Sequence, residues 1–93
     1  MDINDLKYKI TSKTCVVIAS APCYPYGLID NIKDIGIICK DHDVPLHVDA
    51  CLGGFITQFD DSIKISFKEN ISSISVDPHK FGYVPKGSSL LLW

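Results

Sequence analysis

The spacing of apolar residues along the chain predicts four strands. A β-branched run at Thr14–Ala19 predicts the first, and because it is apolar along its length we expect it to be buried on both faces. Leu46–Ala50 predicts the second strand, Ile71–Val76 the third and Ser88–Trp93 the fourth. Met1–Ile10 is polar and is assigned no element.

One amphipathic helix is predicted between the first two strands. Asp30 stands at its start as the capping residue, and Pro45 marks its end. Cys23–Leu28, with a proline and a glycine, predicts the loop before it. A strand, a helix and a strand in this order form a βαβ unit, whose strands run parallel. The apolar positions of the helix, spaced by three or four residues, are Ile32, Ile35, Ile38 and Cys39.

The predicted fold class is therefore α/β, with a mostly parallel sheet. Such a sheet needs helices on both faces. Phe55–Asn70 is less regular and offers only a weak helix candidate, between Thr57 and Asn70. Much of the sheet would be left uncovered, so we expect residues 1–93 to be one part of a larger domain.

Composition and charge narrow the class of protein. Apolar residues make up 46% and charged residues 22% of 93, which is typical of a folded globular segment. The formal charge is −2 with no long basic run, so we expect no nucleic-acid partner. No apolar stretch reaches the roughly 20 residues that a bilayer span needs, and no signal peptide is visible, so we expect a cytoplasmic chain.

The four cysteines suggest neither a metal site nor a disulfide framework. Cys15, Cys23, Cys39 and Cys51 form no C-x-x-C pair, and their spacing does not match a zinc site. We expect buried, free thiols in a reducing compartment, with disulfides as the alternative in an oxidising one.

Charged residues follow two of the predicted strands. Asp49 lies at the carboxyl end of the second strand, and Asp77-Pro78-His79-Lys80 follows the third. In parallel strands these ends meet at the edge where α/β sheets bind ligands. A buried carboxylate there needs a cation or several donors, and a pyridinium nitrogen would serve. A partly desolvated lysine has a lowered pKa and can attack aldehydes, as Schiff-base lysines do.

Each of these residues also has a purely structural interpretation. Asp49 could cap a nearby loop amide, and Lys80 could be an ordinary solvated lysine. His47, on the same side of the strand as Asp49 by the period of two, is more readily explained as a hydrogen-bonded core histidine. The placement of Asp49 and Lys80 at one edge favours the functional interpretation.

Longer motifs resemble the pyridoxal-phosphate-dependent group II decarboxylase family. The order and composition of these motifs together are specific, although each alone is weak, and the resemblance extends over about residues 16–92. The first segment contributes Ser20–Pro22 (SAP), Tyr24–Gly27 (YPYG) and Ile29-Asp30. The later motifs are His47–Phe55 (HVDACLGGF), Ser73–Lys80 (SISVDPHK) and Gly82–Ser89 (GYVPKGSS).

The resemblance implies part of the large, cofactor-binding domain of the aspartate-aminotransferase-type fold (fold type I), with pyridoxal 5′-phosphate at the strand ends and no small domain within residues 1–93. Lys80 matches the lysine that holds the cofactor covalently, and Asp49 matches the acid that pairs with the pyridine nitrogen. His79 matches a histidine near the cofactor phosphate, and Ala50 matches a small residue packed on the ring. Lys86 matches a lysine near the substrate phosphate.

The resemblance leaves three functions open. One branch of the family cleaves a phosphorylated sphingoid base to a fatty aldehyde and phosphoethanolamine, and Ala50–Gly54 and Pro85–Ser89 favour it. A second branch decarboxylates amino acids such as tyrosine or aspartate, and Pro78 and the short interval from Gly54 to Ser72 favour that. The third possibility is an inactive remnant. The resemblance also implies a homodimer, at the cytosolic face of the endoplasmic reticulum if a longer chain carries an upstream anchor.

Overall fold

Four strands form one sheet in the computed structural model, which describes residues 1–60, 63 and 65–93. They are β1 (Val17–Ser20), β2 (Leu46–Asp49), β3 (Ser73–Val76) and β4 (Leu90–Leu92). The strands lie in the order β1-β2-β3-β4; the first three are parallel and β4 is antiparallel to β3. The predicted α/β class with a mostly parallel sheet is confirmed, with each strand shorter than predicted.

A short first helix, α1 (Ile3–Lys9), precedes the sheet. Asp2 caps it by accepting a hydrogen bond from the backbone N–H of Asp5, and Lys9 Nζ lies 2.8 Å from Asp5 Oδ2 one turn away. Ile3 and Leu6 pack against the core. Assigning no element to Met1–Ile10 was therefore wrong.

The second helix, α2 (Ile32–Asp41), links β1 to β2 and packs on both strands. Its cap is Asn31, whose side chain accepts from the backbone N–H of Asp34, so the predicted cap at Asp30 was wrong. The apolar face was predicted correctly, because its four residues are all buried: Ile32, Ile35, Ile38 and Cys39.

The described residues cover only one face of the sheet. Val17 and Ala19 of β1 are buried beneath α2, whereas Ile18 between them is 58% exposed, so the expectation of a first strand buried on both faces was wrong here. Strand alternation and the register place a set of mostly polar residues on the open face with Ile18. That set is Ser20, His47, Asp49, Ser73 and Ser75.

The segment between β2 and β3 contains short 3₁₀ turns. These turns are Gly53–Phe55, Thr57–Phe59 and Phe67–Glu69. The weak helix candidate between Thr57 and Asn70 is not an α-helix in its described residues, and positions 61, 62 and 64 of it lie outside them.

The loop between β1 and α2 is closed at its two ends. The backbone N–H of Asp30 donates to the Ser20 carbonyl at 3.0 Å, and the N–H of Ser20 donates to Asp30 Oδ2 at 2.8 Å. The amino group of Met1 also binds Asp30 Oδ1. Between these ends, Tyr24 and Tyr26 are exposed to solvent. Asp30 therefore fastens this loop to the end of β1.

The four cysteines are free thiols. Cys39 is buried in the core, Cys15 is exposed, and Cys23 and Cys51 are half-buried. The expectation of buried thiols therefore holds for Cys39 alone.

Candidate active site at the carboxyl edge of the sheet

Asp49 ends β2 as a half-buried carboxylate on the open face. Its Oδ1 accepts a hydrogen bond from the backbone N–H of Cys51 at 3.0 Å and from Ser75 Oγ at 3.4 Å. Burial acts to raise the pKa of Asp49, but these hydrogen bonds and the charge of Lys80 outweigh it and hold the pKa below its ordinary value. Asp49 is thus kept as an anion at the strand end.

Lys80 forms an ion pair in the turn after β3. Its Nζ lies 2.8 Å from Oδ2 of Asp77, a carboxylate whose residue is only 8% exposed, and Ser89 Oγ donates to Asp77 Oδ1 at 2.7 Å. The hydrogen bonds from Lys80 and Ser89 lower the pKa of Asp77 to about 2. The hydrogen bond to Asp77 in turn raises the pKa of Lys80, against the effect of burial. The expected lowered pKa of Lys80 was therefore wrong for the chain as it stands.

His79 faces the segment that leads into β4. Its Nδ1 is hydrogen-bonded to the backbone carbonyl of Ser88. Because a carbonyl only accepts, Nδ1 carries the hydrogen. The other ring nitrogen, Nε2, lies 3.8 Å from Asp77 Oδ2.

The pairing of β2 with β3 brings these groups to one edge. The backbone N–H of Ala50 donates to the Ser75 carbonyl at 3.0 Å, and that of Asp77 donates to the Cys51 carbonyl at 3.3 Å, so the two chains stay side by side past the strand ends. Lys80 and Asp49 are close enough for each charge to shift the pKa of the other. The structure thus brings together three of the predicted site residues, Asp49, His79 and Lys80.

Two predicted site residues do not join this group. Ala50 is 0% exposed and lies on the covered side of the sheet, where it lines a cavity with Ile74 and Val76. It therefore does not lie on the open face with Asp49. Lys86 is exposed before β4, and among the described contacts none joins it to Lys80 or His79.

Glycine at position 53 lets the chain turn tightly against the end of β1. A Cβ on Gly53 would lie 2.2 Å from the carbonyl oxygen of Ala21, a backbone atom that cannot swing aside. Ala21 is itself fixed to β2, since its N–H donates to the Asp49 carbonyl at 2.8 Å. The close approach packs the 3₁₀ turn beside the site.

Sequence reasoning missed two contributors, Ser75 and Ser89, and placed Cys51 near the site without a role. Ser75 could have been found from strand pairing, because it lies opposite Asp49 in the register of β2 and β3. Ser89 gave no signal in the sequence, because its contact depends on β4 running antiparallel to β3.

Within the described residues, no group of three or more His, Cys, Asp or Glu could hold a metal ion, and no helix is long and apolar enough to cross a bilayer.

The pyridoxal-dependent decarboxylase conserved domain matches residues 6–93. The chain belongs to this family. Its mostly parallel α/β sheet is part of the family's fold, and pyridoxal phosphate is the family's cofactor, as the sequence motifs indicated.

Individual relatives are sphingosine-1-phosphate lyases. The chain is 39% identical over 104 residues to the sphingosine-1-phosphate lyase of Drosophila melanogaster. This alignment covers 100% of this chain and 18% of the relative. It is 45% identical over 87 residues to a probable sphingosine-1-phosphate lyase of Legionella pneumophila. This alignment covers 90% of this chain and 14% of the relative. The solved structure of a sphingosine-1-phosphate lyase from Burkholderia pseudomallei superposes with a TM-score of 0.91 at 38% identity, over 99% of this chain and 23% of that one. The chain thus spans between 14% and 23% of these relatives.

The donor set at this edge fits a pyridoxal cofactor. Such a group presents an aldehyde, which an amine can attack, and a ring nitrogen, which binds a carboxylate when it is protonated. Lys80 supplies the amine, and Asp49 supplies a carboxylate that its own hydrogen bonds keep ionised. Both lie at the carboxyl ends of parallel strands.

Proposed function

We propose that this chain is the cofactor-holding segment of a carbon–carbon lyase that acts on phosphorylated sphingoid bases. The observation that supports the proposal best is the meeting of Asp49 and Lys80 at one sheet edge, with Asp49 held as an anion. The similarity to sphingosine-1-phosphate lyases supports the substrate class.

Each residue has a role that follows from its chemistry. Asp49 would bind the protonated ring nitrogen, and Lys80 would hold the cofactor through its side-chain nitrogen. When bound, the cofactor supplies an electron sink for the pair released by the breaking bond. His79 would lie near the cofactor phosphate and Lys86 near the substrate phosphate, where a positive charge favours a phosphorylated amine. Ala50, on the covered face, would support the sheet rather than contact the ring.

The surrounding protein is part of the same proposal. Residues 1–93 would form part of a large domain, with further elements covering the open sheet face, and the whole protein would act as a homodimer. It would lie in the cytoplasm, or at the cytosolic face of the endoplasmic reticulum if it carries an anchor. Sedimentation and cell fractionation of the complete gene product test these points, and a monomer or a secreted protein would contradict them.

The first experiment tests cofactor holding by the chain itself. Pyridoxal 5′-phosphate is added, the product is trapped with borohydride, and the modified lysine is located by peptide mass spectrometry. We expect the modification on Lys80, its loss in Lys80→Ala, and its retention in the matched variant Lys86→Ala. Equal modification of Lys33, Lys80 and Lys86 would show that Lys80 has no special role.

The second experiment separates the candidate reactions. The complete gene product that contains these residues is incubated with a phosphorylated sphingoid base, and with tyrosine and aspartate. Release of a fatty aldehyde supports the lyase, whereas release of carbon dioxide from an amino acid would replace it with a decarboxylase. A protein that binds the cofactor but yields neither product would be the inactive remnant.

A further inference from the structure

Asp77 is engaged on both of its carboxylate oxygens. Oδ2 receives Lys80 Nζ at 2.8 Å and Oδ1 receives Ser89 Oγ at 2.7 Å. The residue is 8% exposed, and its backbone N–H is bound to the Cys51 carbonyl at 3.3 Å. A carboxylate fixed in this way presents one oxygen to the lysine in a set direction.

The carboxylates near Lys80 favour its ammonium form. Asp77 faces it from its own turn, and Asp49 acts on it from the end of β2, where the Cys51 thiol has a raised pKa and stays neutral. His79 lies beside it in sequence and faces Asp77 from 3.8 Å. The raised pKa of Lys80 agrees with this arrangement.

We propose that Asp77 is a positioning residue that holds Lys80 as a docked ammonium until a cofactor is captured, with Ser89 orienting the carboxylate. An ammonium has no lone pair for a carbonyl carbon, so the proton must pass to solvent and the ion pair must open first. The pair therefore sets the pH at which Lys80 becomes reactive. This role of Asp77 rests on the proposed function only in taking Lys80 as the cofactor lysine.

The test measures the reactivity of each lysine without any cofactor. The chain is labelled with trace acetic anhydride across a pH series, and the acetylation of each lysine is followed by peptide mass spectrometry. In the wild-type chain we expect the midpoint of Lys80 to lie above that of Lys86, which serves as an exposed reference in the same molecule. Equal midpoints would overturn the proposal.

Variants then assign the effect to Asp77 and Ser89. In Asp77→Asn we expect the acetylation of Lys80 below its midpoint to rise by about three- to tenfold, since a neighbouring opposite charge shifts a pKa by about one unit or less at a partly exposed site. In Ser89→Ala, which removes one hydroxyl and keeps the carboxylate, we expect a smaller rise. Lys86 should not change in either variant. Unaltered acetylation of Lys80 in both variants would contradict the positioning role.

The same variants separate this inference from the proposed function. If Lys80 responds as expected but pyridoxal 5′-phosphate is not captured, only the proposed function fails. If the cofactor is captured on Lys80 with the same pH dependence in wild type and Asp77→Asn, only the positioning role fails. Capture that moves to lower pH in Asp77→Asn supports both.

Discussion

Ser75 and Asp49 are partners both in the sheet and through their side chains. They lie opposite each other in the parallel register of β3 and β2, and Ser75 Oγ donates to Asp49 Oδ1 at 3.4 Å. On the other side, Ser20 of β1 is the register partner of Asp49. The carboxylate is therefore held by its own sheet, before any ligand arrives.

Replacing this serine should make Asp49 a weaker acid. In Ser75→Ala the carboxylate loses a hydrogen bond to its charged form, so we expect the pKa of Asp49 to rise. Carboxyl-carbon NMR titration measures it. Ser73→Ala is the matched control, because Ser73 Oγ bonds to His47 Nδ1 at 2.8 Å and not to Asp49. A rise of equal size in both variants would argue against the direct contact.

The ion pair of Asp77 should make the fold sensitive to acid. The pKa of Asp77 is about 2 in the folded chain, below the value of about 3.9 for an unfolded aspartate. The unfolded chain therefore binds more protons in this range, and the stability that Asp77 contributes above pH 4 is lost as the pH falls toward 2. Urea unfolding at several pH values tests this. The free energy of unfolding should depend less steeply on pH in Asp77→Asn, and an unchanged slope would contradict the assignment.

The core beneath α2 should depend on Ile35 far more than on its neighbour Ile37. Ile35 is 0% exposed, whereas Ile37 is 46% exposed on the same helix. Ile35→Ala should lower the free energy of unfolding by about 2–5 kcal/mol, because it removes buried methyl groups and leaves a cavity. Ile37→Ala should cost less than about 1 kcal/mol. Chemical denaturation followed by circular dichroism compares them, and equal losses would show that α2 does not pack as described.

Gly36→Ala tests the packing of α2 by whether it raises or lowers the free energy of unfolding. Glycine to alanine within a helix ordinarily stabilises it by about 1 kcal/mol. At Gly36, however, a Cβ would lie 1.9 Å from the backbone carbonyl oxygen of Glu69. We therefore expect Gly36→Ala to lower the free energy of unfolding in the same denaturation assay. A more stable variant would mean that the contact between α2 and the Phe67–Glu69 turn is absent.

The sequence was sufficient for features that depend on periodicity and on parallel strand ends. The buried stripe of α2 and the meeting of Asp49 with Lys80 both follow from such rules. The first helix was missed although Ile3, Leu6 and Ile10 have helical spacing, because its contact with the core is small. The resemblance matched Ala50 to a residue packed on the cofactor ring, whereas strand alternation puts its side chain on the face of the sheet away from Asp49.

Other features depend on tertiary geometry that a linear pattern does not encode. Lys80 meets Asp77 because the turn between them closes with a hydrogen bond from the Lys80 N–H to the Asp77 carbonyl at 3.0 Å. Ser89 reaches the same carboxylate only because β4 runs antiparallel to β3. Burial alone suggested a lowered lysine pKa, and these contacts reversed the direction.

The closed loop between Ser20 and Asp30 has a consequence for how this protein can diversify. Because its two ends are fastened to each other at 2.8 and 3.0 Å, the exposed residues 24–28 can change in identity or number with little effect on where β1 ends or α2 begins. Their exposed rings, Tyr24 and Tyr26, extend from the segment that starts beside Asp49. Substitutions in this exposed part of the loop can therefore accumulate while the end of β1, the start of α2 and Asp49 keep their positions.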